Sequence, residues 1–328
     1  MKYFKTKAAI AMFLIVCMTS IACSFLGMYP VAAEELKTTG NSGISVSPPM
    51  VELLAEKGKT YSQKIKVSNP SNTVIELYPI SMNFTSDGEG GQPKFVAAES
   101  GDEKYSLATW IKVSQTNIAV APQQIVEFEY VINVPRNAEP GGHYGVIFFS
   151  TQPQETSGSS TRVSISSMVG SLIMLSVDGA ISESAMVQDF WFPKIIFSGA
   201  LNISTKIANT GNIHLKPTGE VDITGILTSD KTSITFNSVR GNILPDSTRA
   251  FYDNWAFNKY KNIGPHRIDL KILYGEGGKS LNASRTVWIL PWWLIITIFL
   301  IIVAIIIIIF SIKRRKRKDF KKYFKVPG

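Results

Sequence analysis

Residues 133–150, NVPRNAEPGGHYGVIFFS, admit two readings. Pro140-Gly141-Gly142-His143 has the composition of a glycine-rich loop that presents a histidine, as a phosphate cradle or a general base would. It also has the composition of a turn that drops the chain into a strand. A phosphate cradle needs a helix after its glycines, because the N–H groups of a helix N-terminus do the binding. The residues after these glycines and His143 are YGVIFFS, a short run of β-branched and aromatic residues, which is strand material. The stretch therefore reads as a corner of an all-β scaffold, with His143 a half-exposed corner residue.

The flanking sequence agrees. QKIKVSN (63–69), TVIELYPISM (73–82), QIVEFEYVINV (124–134) and YGVIFFS (144–150) alternate or run apolar over strand lengths. Asn-Pro-Ser-Asn, Ala-Pro-Gln-Gln and Pro-Gly-Gly punctuate them. Only Glu103–Thr109 suggests a short helix. Three segments recur in order: KIKVSNPSNTVIELYP (64–79) in STKIANTGNIHLKPTG (204–219), VAPQQIVEFEYVI (120–132) in ILPDSTRAFYDNW (243–255), and EPGGHYGVIFF (139–149) in NIGPHRIDLKIL (262–273). Two successive domains of one topology would produce that order. The first is placed at residues 43–178 and the second at 179–288, with QPQETSGSST (152–161) a long loop between the last two strands of the first.

In immunoglobulin-like sandwiches a tyrosine near the start of the sixth strand bonds its hydroxyl back to nearby backbone, two residues before a core position. Pro140, Gly141, Gly142 and Tyr144 fit such a tyrosine corner, and Val146, Phe148 and Val67 are then expected in the core. The fold class is all-β: two tandem immunoglobulin-like sandwiches followed by one transmembrane α-helix.

The ends of the chain carry the topology. Lys2, Lys5 and Lys7 precede an apolar run, and Val31-Ala32-Ala33 offers small residues before Glu34, so residues 1–33 read as a signal peptide cleaved between Ala33 and Glu34. The rival, a lipidation box ending at Cys23, has Ser20 where an aliphatic residue belongs. Both cysteines, Cys17 and Cys23, fall inside this segment, which leaves the exported part without disulfides or thiolate chemistry. Residues 292–312 are 21 residues without a charge. At 1.5 Å per residue they reach about 31 Å, enough for a hydrocarbon core of about 30 Å. Trp288, Trp292 and Trp293 mark one interface, and Lys313, Arg314 and Arg315 open a basic cytoplasmic tail (313–328) at the other, placing the N-terminus outside. The tail contributes +8 and the first 33 residues +3, which leaves −2 for residues 34–312 out of a total of +9. The basic balance is thus a topology signal, and nucleic acid is not implied as a partner.

No catalytic constellation gathers. Gly278-Lys279-Ser280 has Leu273 where a phosphate-binding loop needs glycine, so it reads as a hairpin turn. SDGEGGQ (86–92) lacks the remaining ligands of a calcium loop. The histidines, His143, His214 and His266, are far apart in sequence, and no Gly-x-Ser-x-Gly or His-Glu-x-x-His occurs. Neither metal nor cofactor is expected. Trp110 reads as core. Of Phe190, Trp191 and Phe192, alternation turns at least one outward, either between the two domains or into solvent.

The segment 44–153 resembles pilus-chaperone and major-sperm-protein domains, with paired prolines on the first strand. The whole layout, with the Asn209-Thr210-Gly211 turn, resembles the membrane-anchored WxL-interacting protein family of Gram-positive cell surfaces. That family opens its first domain with Pro-Glu-Asn-Gln, and here Ser47-Pro48-Pro49-Met50-Val51-Glu52 stands instead. The resemblance implies a first domain that binds peptidoglycan and a second that binds surface proteins or host matrix. The sequence thus points to a non-catalytic, single-pass surface protein with the lipid bilayer and a cell-wall polymer or extracellular surface protein as partners. The alternative is an accessory subunit of a secretion or pilus-assembly complex.

Overall fold

The computed structural model describes residues 43–99, 103–153, 168–228 and 230–323, with side chains through Arg314. The signal segment with its Ala33/Glu34 junction, residues 154–161 of the polar loop and the side chain of Arg315 lie outside that description.

The first sandwich contains β1 (Ser45–Ser47), β2 (Met50–Ala55), β3 (Thr60–Ser68), β4 (Ile75–Asp87) and β5 (Gln92–Val96). It continues with β6 (Ile111–Val113), β7 (Ile118–Val120), β8 (Ile125–Asn133), β9 (Gly141–Ser150) and β10 (Met168–Val177). One sheet runs β1-β3-β8-β6; the other runs β2-β10-β9-β4-β5, with β7 on β4. The first strand changes sheets at a cis Ser47–Pro48 bond, so β1 pairs antiparallel with β3 and β2 parallel with β10. Where a short helix was expected at 103–109, two single 3₁₀ turns form, Glu103–Tyr105 and Ala108–Trp110.

The second sandwich repeats the plan. It contains β11 (Ala185–Trp191), β12 (Ile195–Ile196), β13 (Ala200–Asn209), β14 (Thr218–Gly225), β15 (Lys231–Phe236), β16 (Ser247–Ala256), β17 (Gly264–Tyr274) and β18 (Lys279–Ile289). Its sheets are β11-β13-β16 and β12-β18-β17-β14-β15, and β12 joins β18 in parallel as β2 joins β10. The sequence echoes have a physical basis in the turns. Asn69 ends β3 and donates to the carbonyls of Thr73 (2.7 Å) and Val120 (2.9 Å) while accepting from Ser71 N–H (2.9 Å). Asn209 ends β13 and does the same with Ile213 (2.8 Å), Ile243 (3.0 Å) and Gly211 N–H (2.9 Å). Gln123 and Asp246, each after a proline, hold positive φ at matching turns (57° and 52°).

One core fills each sandwich. Ile65, Val67, Phe128, Tyr130, Ile147 and Phe149 are central to the first, and Phe128 meets Phe149 edge-on at 5.1 Å. Val67 is in this core as expected, but Val146 and Phe148 are not. They point to the opposite face of their sheet, where Val146 packs with Phe84, Tyr144 and Met174. The run Val146-Ile147-Phe148-Phe149 is apolar on both faces, so alternation could not fix which face is inward, and a shift of one residue exchanges the two sets. Phe190 and Phe192 are buried in the second core, whereas Trp191 is exposed (52%) and pairs with Ser204 rather than packing between the sandwiches. The helix α1 (Trp292–Tyr323) follows β18 directly, and its Trp292–Arg314 stretch is long and apolar enough to cross a membrane.

Candidate functional site

Pro140 directly precedes β9, and Gly141, Gly142 and Tyr144 are among its first residues; this stretch lies at the junction between the sandwiches. Gly141 has φ 117°, and a β-carbon there would collide with the Asn212 carbonyl. Close approach lets Gly142 N–H donate to Asn212 O (2.8 Å) and Asn212 Nδ2 donate back to Pro140 O (3.1 Å). Asn212 also holds the connecting segment, donating from Nδ2 to Ala180 O (2.9 Å) and accepting at Oδ1 from Ser182 N–H (2.7 Å). Tyr144 folds back over Gly142, where a β-carbon would strike its hydroxyl.

The bond expected from that hydroxyl to neighbouring backbone is replaced by a contact with His214 Nδ1 at 3.3 Å, across the junction. Tyr144 is buried because the second sandwich covers its face of the sheet, and burial raises its pKa. Burial holds His214 down at about 4. His143 is not half-exposed either: it is buried, its ring nitrogens lie 3.1 Å from Ser106 O and 2.9 Å from Glu139 O, and the Trp110 ring packs against it at a tilt, 4.3 Å between centroids. Burial lowers its pKa. With both ring nitrogens against backbone carbonyls, the ring braces the corner.

Other bridges cross the same junction. Tyr105 donates to Asp246 (2.6 Å), and the hairpin after β4 reaches over to place Glu89 on Lys206 (2.6 Å) and on the N–H of Ala250 (2.8 Å). The sequence offered Glu89 only as half of a weak cation loop. Among the described residues no group of His, Cys, Asp and Glu is placed to hold a metal ion.

Beside the junction runs β2, which among the described residues is an edge strand, bonded on one side to β10. Leu172 N–H donates to Pro49 O and Asp178 N–H to Ala55 O (both 2.9 Å), so the odd-numbered residues of β2 point their backbone groups at β10. A strand residue sends its N–H and C=O the same way, so Met50, Glu52 and Leu54 direct theirs to the open edge. Their side chains face the cleft between the sandwiches. Met50 borders a cavity of about 190 Å³ with Met174, Asn242 and Arg249. Leu54, 76% exposed, borders one of about 560 Å³ with Tyr61, Ile181 and Ile213. Between them Glu52 accepts from Lys216 (2.8 Å), which lowers the Glu52 pKa. Arg249 donates to Asn242 O (2.7 Å), and its Nε has no partner among the described residues. Sequence reading missed this strip. Its signal was the alternation Met50-Glu52-Leu54 on a strand already flagged by Pro48-Pro49.

At the other end of the chain Trp288 and Trp292 are exposed and Trp293 donates to Lys259 O (3.3 Å). Lys313 and Arg314 are exposed about 32 Å further along α1, at 1.5 Å per residue.

No family model matches the chain, and no curated protein matches it in sequence. Solved structures similar to it include the class 5 fimbriae chaperone CfaA (12% identity, 75% of this chain and 99% of that one, TM-score 0.38). The Escherichia coli chaperone DraB (11%, 74% and 97%, 0.35) and the Pseudomonas aeruginosa chaperone CupB2 (10%, 74% and 99%, 0.33) are others. Likenesses of this depth carry no argument about function, and the fold stands on the strand registers above.

Proposed function

We propose that the protein is a non-catalytic, single-pass surface protein, N-terminus outside and basic tail inside, that holds a partner along the β2 edge. The observation that carries this reading is the outward-directed backbone of Met50, Glu52 and Leu54 beside a cleft with a recess at each end, the one at Met50 lined by Met174, Leu172 and Phe84 and the one at Leu54 by Tyr61, Ile181 and the acids Glu56, Asp178 and Glu183. Such an edge accepts an extended segment as an added strand: main-chain hydrogen bonds supply affinity, and recesses for alternate side chains supply selectivity. The preferred partner is therefore an extended stretch of another surface protein. The resemblance to the WxL-interacting family adds a wall-polymer ligand for the first sandwich as the competing outcome.

The test uses the full chain in cells, with a photo-crosslinking residue at Leu54 and a control at Ile125, which is exposed on β8 in the opposite sheet. A discrete adduct from Leu54 alone, lost when Glu52→Pro removes an outward N–H and leaves the β10 ladder intact, supports strand addition. An adduct that survives Glu52→Pro, or equal labelling at Ile125, sinks it. Co-sedimentation of the detergent-solubilised chain with purified peptidoglycan, unaffected by Glu52→Pro, would transfer the assignment to the wall polymer.

A further inference from the structure

The apolar helix α1 leaves from one end of the second sandwich. The strand registers gather four segments there. Gly264 and Ile196 both pair with Ile289 at the end of β18, Gly225 pairs with His266, and Ala200 pairs with Ala256. The β11–β13 connection, the β14–β15 turn and the β16–β17 connection thus crowd around the point where α1 leaves. The fit with α1 is direct: Leu290 N–H donates to Ile196 O (2.8 Å), Trp292 N–H to Phe197 O (3.3 Å), and Tyr260 lies 6.0 Å from Trp293.

This end is apolar where a soluble surface would be polar. Ile195, Phe197 and Trp288 are about half exposed beside the helix, Tyr260 is 66% exposed, and on the far turn Ile226 and Leu227 (75%) stand free. Ile226 is fixed by its N–H bond to Pro265 O (2.9 Å), so the turn is held toward this end. The charge is one-sided. Residues 191–200, 224–232, 256–266 and 286–291 hold Lys194, Lys231, Lys259 and Lys261 against a single acid, Asp230, while the neighbouring Arg267 is paired with Asp269 (2.8 Å). Asp230 is engaged internally by Thr228 and Asn262. Deeper along β16, Asp253 is partly buried, and burial pushes its carboxyl up to about 6.

We infer that this end of the second sandwich seats in the headgroup layer of an anionic phospholipid leaflet, with Leu227, Ile226, Phe197 and Tyr260 in the interface and the lysines on lipid phosphates. The inference rests on the reading of α1 as a membrane span. Aromatic side chains settle at the headgroup level, and basic residues nearby are drawn to anionic lipid. An exposed apolar patch flanked by lysines and continuous with a helix of membrane-spanning length fits that partner.

The full chain, with Cys17→Ser and Cys23→Ser, carries one fluorophore at a time on Leu227→Cys, Val239→Cys or Ile302→Cys. It is reconstituted in nanodiscs of phosphatidylglycerol and phosphatidylcholine containing nitroxide-bearing lipid. Ile302 reports the span, Val239 the opposite end of the sandwich, and Leu227 the docking. Quenching at Leu227 at least about threefold above that at Val239 is expected. It should fall toward the Val239 level in phosphatidylcholine alone, or after Lys194→Gln, Lys259→Gln and Lys261→Gln together. Quenching at Ile302 with Leu227 no different from Val239 overturns the docking and leaves the span standing. No quenching at Ile302 overturns both. Undiminished quenching at Leu227 without anionic lipid and without the lysines overturns the electrostatic part.

Discussion

The two sandwiches share a plan down to single hydrogen bonds, yet they treat their surfaces differently. Asn69 and Asn209 tie equivalent turns with the same three bonds, and His143 and His266 follow equivalent positive-φ glycine positions in the strands after the third echo. The first sandwich, however, makes β9 apolar on both faces, because the second covers its outer side with His214 and Asn212. The second makes its own apolar excess at the end where α1 leaves. A duplicated scaffold thus keeps its turns, which are local chemistry, and diverges where each copy meets a different neighbour.

The strongest way to break the comparison is at the paired asparagines. Asn69→Ala and Asn209→Ala each strand a buried N–H and two carbonyls, and each is expected to destabilise the protein by about 2–4 kcal/mol. Chemical denaturation of the purified chain compares them, and a large loss for one with none for the other would show that the likeness is only geometric. Next is Gly142→Ala, which drives Tyr144 off its seat and should cost about 1–3 kcal/mol. Pro265→Ala at the matching position should cost about 1 kcal/mol or less. Equal losses would remove the corner's special role.

Acid sharpens the contrast further. His214 titrates near 4 in the fold, chiefly because it is buried, against about 6.5 in an unfolded chain. The unfolded state therefore takes up the proton first. Stability is full above about pH 6.5 and declines as pH falls toward 4, by roughly 3 kcal/mol from this residue. His143 shifts the same way for the same reason, so His214→Gln should shrink the acid slope without abolishing it. A slope unchanged by that substitution would place the acid sensitivity elsewhere. The smallest effect belongs to the Glu52–Lys216 pair: both partners are partly exposed, and Lys216→Met should cost under about 1 kcal/mol. Glu52 has a lowered pKa, so its share is present above about pH 4.5 and is lost as pH falls through the folded value. A loss beyond that range would mean the pair clamps the cleft.

Strands, turns and the duplication were legible because they are written in short-range patterns: Asn-Pro-Ser-Asn and Asn-Thr-Gly-Asn, Pro-Gln and Pro-Asp, glycine before histidine. The face of β9 was not, since four consecutive apolar residues carry no alternation. Nor was the partner of Tyr144, because a hydrogen-bond partner 70 residues away leaves no local trace. Trp191 was visible as an odd aromatic, but only its place in the folded sheet, 52% exposed between the buried Phe190 and Phe192, shows that it faces solvent. The open edge of β2 and the apolar end of the second sandwich depend on what is absent beside them, which no single segment encodes.

Asn212 has a mechanical consequence. It grips Pro140 and Gly142 of the first sandwich and pins Ala180 and Ser182 of the connecting segment to the second. Tension applied to the first sandwich cannot straighten residues 178–184 until that clasp gives way. In the proposed orientation, with α1 in the membrane, load would pass from sandwich to sandwich through the corner and the other bridges of the junction before reaching α1, so the pair would act as a bracket rather than a string. The rate at which those bridges open, rather than the equilibrium stability of either half, would then set its lifetime under force.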